Sequence, residues 1–265
     1  MAKKSGQARV PKPEDWERLF QEIKAHRHPE KNSAIMRISQ RLGLRVQEIS
    51  LLQVKEVAKL FGKPGSSNRS FKRFEILTLP AAITKGANAT GRSQSKYSRK
   101  RISFTVSAFE KMLKQVCEMN KAGINISPED FYPEVLTNKG KSRDLPLVDP
   151  ELCDAIDVFL EKRLNEDPYL QPNDPLFISQ KGGPYSPNTL QEHIAMMLRD
   201  WTGIEKATSH SGRRALITNI IHHQGKSIKI AQKVAGHQSP STTVIYEEPP
   251  EHEIADALKN LVIKQ

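Results

Sequence analysis

Apolar residues along this chain recur mostly every three to four positions, the spacing of one helix face. Trp16, Leu19, Phe20 and Ile23 follow Pro13-Glu14-Asp15, which places a proline in the first turn and two acids at the positive end of a helix. Ile35, Ile38 and Leu42 predict a second helix over about 32–42, stopped by Gly43. Ser107-Ala108-Phe109-Glu110 has the form of a capping box and heads a helix with Phe109, Met112, Leu113 and Val116 inward. Asp149-Pro150 heads another with Leu152, Ile156, Phe159 and Leu160 inward, and Ser186-Pro187 a third with Leu190, Ile194, Met197, Leu198 and Trp201 inward. His193 on that third helix reads as structural. Alternation with period two is confined to short runs. Residues 74–79 and 101–106 read as one hairpin, and 134–138 and 143–147 as a second, turning at Lys139-Gly140-Lys141. Leu176-Phe177-Ile178 reads as a short buried strand and Lys181-Gly182-Gly183-Pro184 as a turn. The pattern predicts a mainly α fold with small antiparallel β-hairpins, an α+β domain.

The last third of the chain carries the candidate chemistry. Ala215, Leu216, Ile217, Ile220 and Ile221 make an apolar stripe ending at Gly225, and Ser209 or Ser211 can cap its start. His210 and Arg213, three apart, project from one side of that helix N-terminus, where free N–H groups and a partial positive charge favour an anion. A second helix, opened by Ser227, runs from Ile228 to Ala235 and stops at Gly236, with His237 directly after it. Ser239-Pro240 then opens a short helix that carries Tyr246. Singly, each of these polar residues reads as a surface or half-buried side chain. Together, their spacing suits a phosphate held beside a phenol.

Composition narrows the partner. The 265 residues carry a net charge of +11 and a pI near 9.6, which points to a polyanion such as nucleic acid. Lys3, Lys4, Arg9 and Lys12 form an acid-free basic arm over 1–12. Lys85, Arg92, Lys96, Arg99, Lys100 and Arg101 fall in another acid-free stretch, with Tyr97 its one aromatic. That stretch reads as a long basic hairpin gripping the phosphate backbone, with a merely solvated loop as the alternative. Cys117 and Cys153 give no disulfide framework and no metal spacing, which fits a reducing cytoplasm. His26/His28 and His222/His223 lack the i,i+4 spacing of a helical metal site, and no apolar run approaches membrane-spanning length.

His210-x-x-Arg213, then Gly236-His237-x-Ser239, then Thr242-Thr243-x-Ile245-Tyr246, nine residues past His237, resembles the C-terminal signature of the tyrosine recombinases, the phage integrase family. Gly43-Leu44-Arg45, with Glu48 three residues after the arginine, resembles that family's first motif. The resemblance implies that Tyr246 is the nucleophile, that Arg45, Arg213, His210 and His237 surround the scissile phosphate, and that Glu48 orients the groups around it. It implies a lysine in a β-turn as general acid for the leaving 5′ oxygen. Lys139 is the choice here, with Lys141 and Lys85 as rivals, because an ungapped comparison back from Pro146 puts Asn138 at that position.

The domain reading that goes with the resemblance is a basic flexible arm over 1–12 and a catalytic domain over 13–265, with a basic hairpin insertion at about 61–134. The chain is expected to resemble the compact recombinases of fimbrial phase switches, which lack a helical DNA clamp before the first helices, with the basic hairpin taking its place. The expected reaction is cleavage and rejoining of duplex DNA through a 3′-phosphotyrosyl link, with no cofactor and no metal. Its partners would be double-stranded DNA, three further copies of the chain on two duplexes, and partner recombinases or accessory DNA-bending proteins. A type IB topoisomerase-like enzyme and a DNA-binding accessory protein without turnover are the alternatives. The C-terminal stripe of Ile254, Ala257, Leu258, Leu261 and Val262 suits an amphipathic helix that packs on its own domain or on a neighbouring protomer.

Overall fold

Helix α1 (Pro13–Ala25) begins as its proline and acids require, with the Asp15 carboxylate accepting the Lys12 backbone N–H at 2.9 Å. Trp16, Leu19 and Ile23 are its buried face. Helix α2 (Pro29–Arg37) starts earlier than expected, because Pro29 suits a first helical turn, and it continues through a π-helical turn over Ile38–Leu42 to a left-handed Gly43. It packs along α6 (Pro150–Glu166), whose first turn is capped by Asp149 accepting the Leu152 N–H at 2.9 Å. Short helices α3 (Val46–Leu51) and α4 (Val54–Val57) follow in the chain, and α4 packs on the strands. This computed structural model describes residues 8–84, 106–126, 142–246, 249 and 251–259. The fold is mostly helical with small antiparallel sheets, as the pattern predicts.

The strands differ from expectation in their pairing. β1 (Ala58–Phe61) and β2 (Ser70–Arg73) form a hairpin that the alternation does not announce. β3 (Ile76–Leu79) lies in the run expected to pair with 101–106, yet its antiparallel partner is β4 (Arg143–Pro146), in the register Leu77 with Leu145 and Leu79 with Arg143. Leu77, Leu79 and Leu145 are buried together on one face, and that shared apolar face selects the pairing. Val106 is not a strand end but the start of helix α5 (Val106–Lys121), in which Met112 and Val116 are buried whereas Phe109 and Leu113 are exposed. Residues 101–105 and 134–141 lie outside the described residues, so the rest of the two expected hairpins is not seen. Leu176 and Phe177 are buried as expected, but 175–178 forms only isolated bridges, Gln53 with Pro175 and Ile178 with Pro184, and not a strand. The turn at 181–184 is present, with Ser179 N–H donating to Gly183 O at 2.7 Å.

Helix α7 (Pro187–Met196) continues through a second π-helical turn, Met197–Trp201. One apolar core joins α1, α2, α3, β3, β4, α6 and α7. A smaller one is built by α8 (Ser211–Thr218), its π-helical extension Asn219–His223, and α9 (Ile228–Ala235), with Ile217, Ile220, Ala231 and Ala235 buried. Tyr246, at the end of α10 (Pro240–Tyr246), packs against that smaller core. Helix α11 (Glu251–Lys259) meets the same chain through Glu253, whose carboxylate lies 2.6 Å from His222 Nδ1. The basic arm is tied down from residue 8 onward: Arg214 donates to Ala8 O at 2.5 Å, and Arg9 N–H to Lys206 O at 3.3 Å. Among the described residues no helix is long and apolar enough to cross a membrane.

His193 is structural. Its Nε2 donates to Asn32 Oδ1 at 2.9 Å, while the Asn32 amide donates to Arg27 O at 3.0 Å, so α7 is pinned to α2. Burial, and then the charges of Lys31 and His28, lower its pKa to about 4. In the unfolded chain an imidazole takes up its proton near pH 6.5. Between those values the unfolded state binds more protons than the folded one, so stability falls as pH falls through that window. Thermal unfolding followed from pH 7 to pH 4 is expected to show a larger drop in midpoint for the wild type than for His193→Gln, which keeps a donor toward Asn32 without the titration.

Candidate active site

Four elements converge on one small polar centre. The left-handed turn at Gly43 brings Arg45 to the start of α3. Arg213 lies in the first turn of α8. His237 follows the left-handed Gly236 at the end of α9, and Tyr246 ends α10. Helix α8 comes this near because Gly212 sits against Ser39, where an added Cβ would stand 2.5 Å from the hydroxyl and 2.8 Å from the carbonyl oxygen.

Arg213 is 1% exposed. Its Nη1 donates to Gly43 O at 2.5 Å, its Nη2 to Ala235 O, and its Nε to His237 Nε2 at 3.3 Å. A guanidinium carries five N–H donors, so two remain for a further acceptor. Burial, and then the Arg45 charge, bring its pKa down to about 9, which leaves it protonated at neutral pH. Because His237 Nε2 accepts from Arg213, its proton resides on Nδ1, which donates to Thr243 Oγ1 at 2.9 Å. Glu48, with its side chain 1% exposed, accepts the Arg45 backbone N–H at 2.7 Å and pairs with Arg45 Nη1 at 3.0 Å. Its Oε2 also accepts Arg143 Nη2 at 2.9 Å.

Tyr246 closes the arrangement. Its hydroxyl lies 3.3 Å from His210 Nδ1, and the Arg213 guanidinium is 5.8 Å from the centre of its ring. The His237 ring lies 5.1 Å away, centroid to centroid. His210 borders solvent, yet the packing around it, and then the charges of Arg213 and Arg45, hold its pKa below the ordinary imidazole value. The phenol thus faces a neutral imidazole, while three guanidiniums gather around a single carboxylate that pairs with two of them. Such an excess of buried positive charge with uncommitted donors suits a phosphate.

Arg45, Glu48, His210, Arg213, His237 and Tyr246 are therefore brought together. Lys139, with its rivals Lys141 and Lys85, lies outside the described residues, as do Arg92, Lys96, Arg99, Lys100 and Arg101. Among the described residues no three His, Cys, Asp or Glu side chains gather as a metal site. Two participants escaped the sequence reading. Thr243, fully buried, orients His237 from within the Thr-Thr-x-Ile-Tyr motif. Arg143 reaches Glu48 from β4, and its signal was a cation two residues before the inward Leu145, on the face where alternation calls for an apolar residue.

Comparison with known proteins bears on the family and the fold. The model of the phage integrase family matches residues 95–252, which include His210, Arg213, His237 and Tyr246 but not Arg45. Tyrosine recombinase XerC of Methylobacterium sp. (strain 4-46) is 37% identical over 114 residues, covering 42% of this chain and 33% of that protein. XerC of Agrobacterium fabrum is 32% identical over 130 residues, 46% of this chain and 39% of the relative. The match thus spans well under half the length of these curated relatives. Among solved structures, the XerA recombinase aligns with 98% of this chain and 68% of its own, with a TM-score of 0.59 and 17% identity. The Tn1549 transposon integrase in complex with transposon right end DNA aligns over the same shares, with a TM-score of 0.52 and 14% identity. Both likenesses show the fold.

Gly212→Ala tests the packing that sets α8 in place. The added methyl must push α8 from the Ser39 backbone, so a loss of about 1–3 kcal/mol in unfolding free energy is expected from chemical denaturation.

Proposed function

The chain belongs to the phage integrase family, and we propose that it is a site-specific recombinase that breaks and rejoins duplex DNA through Tyr246. The observation that carries this reading is the Tyr246 hydroxyl, 3.3 Å from the neutral His210 and beside a buried Arg213 with donors to spare. In the proposed step the Tyr246 oxygen attacks the phosphorus of one backbone ester. The phenol proton passes to His210 Nδ1, and the bond from phosphorus to the 5′ oxygen breaks. Lys139 gives that oxygen a proton, which leaves a 3′-phosphotyrosyl link and a free 5′-hydroxyl. A 5′-hydroxyl of another duplex then reverses the step. One ester replaces another throughout, so the exchange balances without ATP.

The cations answer the charge that grows on the non-bridging oxygens as the nucleophile arrives. Arg213 is preorganised by its contacts with Gly43, Ala235 and His237, and Arg45 by Glu48, so little reorganisation accompanies the reaction. A phenol is a weak nucleophile at neutral pH, and a neutral imidazole is the base it needs. In the same reading Lys85, Arg92, Lys96, Arg99, Lys100 and Arg101 hold the DNA backbone, and four protomers act on two duplexes, with partner recombinases or DNA-bending proteins where a site requires them.

A nicked duplex that traps the covalent product tests the reading. Wild type is expected to yield an SDS-resistant protein–DNA adduct and Tyr246→Phe none. Arg45→Ala leaves Glu48 paired with Arg143 and is expected to bind DNA but to form the adduct about 10²–10³-fold more slowly. A wild-type protein that binds the duplex without forming an adduct overturns the reading in favour of an accessory DNA-binding protein. The rate also has an expected pH dependence. Because the pKa of His210 is lowered, its neutral form persists below the ordinary value of about 6.5. Adduct formation at saturating DNA should therefore stay level as pH falls to that value and decline only below it, which a pH–rate profile checks.

A further inference from the structure

Arg143 stands at the start of β4 and is mostly buried, with its side chain 12% exposed. It joins two parts of the active centre, Glu48 on α3 and the end of α9. Its Nη2 donates to Glu48 Oε2 at 2.9 Å, and its Nη1 donates to the carbonyl oxygen of Ala235. Each of these acceptors also serves one of the phosphate-facing arginines. Glu48 holds Arg45, and Ala235 O accepts from Arg213. The chain of contacts runs Arg45, Glu48, Arg143, Ala235, Arg213.

We propose that Arg143 is a positioning residue, which sets the separation of Arg45 and Arg213 by bridging Glu48 to the end of α9 and does not itself touch the scissile phosphate. This rests on the recombinase reading above. Three features support it. The bridge needs two donors on a rigid fork, which a guanidinium supplies and an ammonium does not. The guanidinium lies at the C-terminal end of α9, where the helix dipole favours a cation. Finally, Gly236 is left-handed, with φ +63°, and a Cβ there would run into the Arg143 guanidinium. The glycine that precedes His237 therefore makes room for this bridge as well as ending the helix.

Removal of Arg143 has a definite consequence. Glu48 is left with Arg45 as its only remaining cation in this chain of contacts and draws it toward both carboxylate oxygens. Ala235 O is left to Arg213, and the bridge from Glu48 on α3 to the end of α9 is lost. Misplacement of catalytic groups by about 1 Å costs about 10²-fold in rate.

The test uses the full chain and the nicked duplex, with Arg143→Ala and Arg143→Lys. Both variants are expected to form the adduct about 10²-fold more slowly than wild type, with unchanged DNA affinity and an unchanged salt dependence of binding. Free guanidinium ion at millimolar concentration should restore part of the rate of Arg143→Ala, whose site is empty, and none of that of Arg143→Lys, whose site is filled. Should Arg143→Ala fail to fold, Arg143→Lys, which keeps the charge and most of the bulk, decides on rate and salt dependence alone. Adduct formation at the wild-type rate in either folded variant overturns the inference. So does a fall of about 0.9 in the salt slope, which would make Arg143 a phosphate contact. A wild-type protein that forms no adduct fails the recombinase reading instead, so the two failures are distinct.

Discussion

A guanidinium almost wholly withdrawn from water holds the active centre together. Burying a charge is costly unless it is hydrogen-bonded, and Arg213 meets that cost by donating to Gly43 O, Ala235 O and His237. Those acceptors belong to the turn after α2, to the end of α9 and to the second residue beyond it. The same side chain therefore binds the large core, which includes α2 and α3, to the smaller core of α8 and α9. The approach of α8 depends in turn on Gly212, which lets the helix backbone lie against Ser39.

The chemistry inherits its order from that constraint. Donation by Arg213 to His237 Nε2 decides the histidine tautomer, and Thr243 receives the remaining proton. The Arg213 and Arg45 charges help keep His210 neutral, which is the state that can receive a phenol proton. In the proposed reaction the cations that hold the phosphate thus also tune the base beside the tyrosine. Repulsion among Arg45, Arg143 and Arg213 is opposed by one buried carboxylate, Glu48, which is fully committed to two of them.

The backbone contributes as much as the side chains. The carbonyl of Ala235 sits at the negative end of α9 and accepts from two guanidiniums. The left-handed conformations of Gly43 and Gly236 turn the chain shortly before Arg45 and His237. Tyr246 packs its ring against the smaller core, while its hydroxyl meets His210.

Much of this was determined by the sequence alone. The helices follow from apolar spacing and from caps at Asp149, Ser186 and the proline-led turns, because those interactions are local. The cluster of His210, Arg213, His237 and Tyr246 was legible from spacing within one stretch of chain, and Arg45 only from a short motif far upstream. The partner of β3 was not legible. Period-two alternation says which face of a strand is buried but not which strand lies beside it, and the shared burial of Leu77, Leu79 and Leu145 chose β4. Phe109 and Leu113 had the right spacing for burial and are exposed, since spacing marks a helix face but not how far it is covered. Arg143 shows the division most clearly. Its place on an inward-facing strand position is written in the sequence, but its worth depends on Glu48 and Ala235, contributed by distant segments. Only the tertiary structure brings a carboxylate and a helix end within reach of one guanidinium, because long-range contacts are decided by how whole elements pack and not by the residues next to them in the chain.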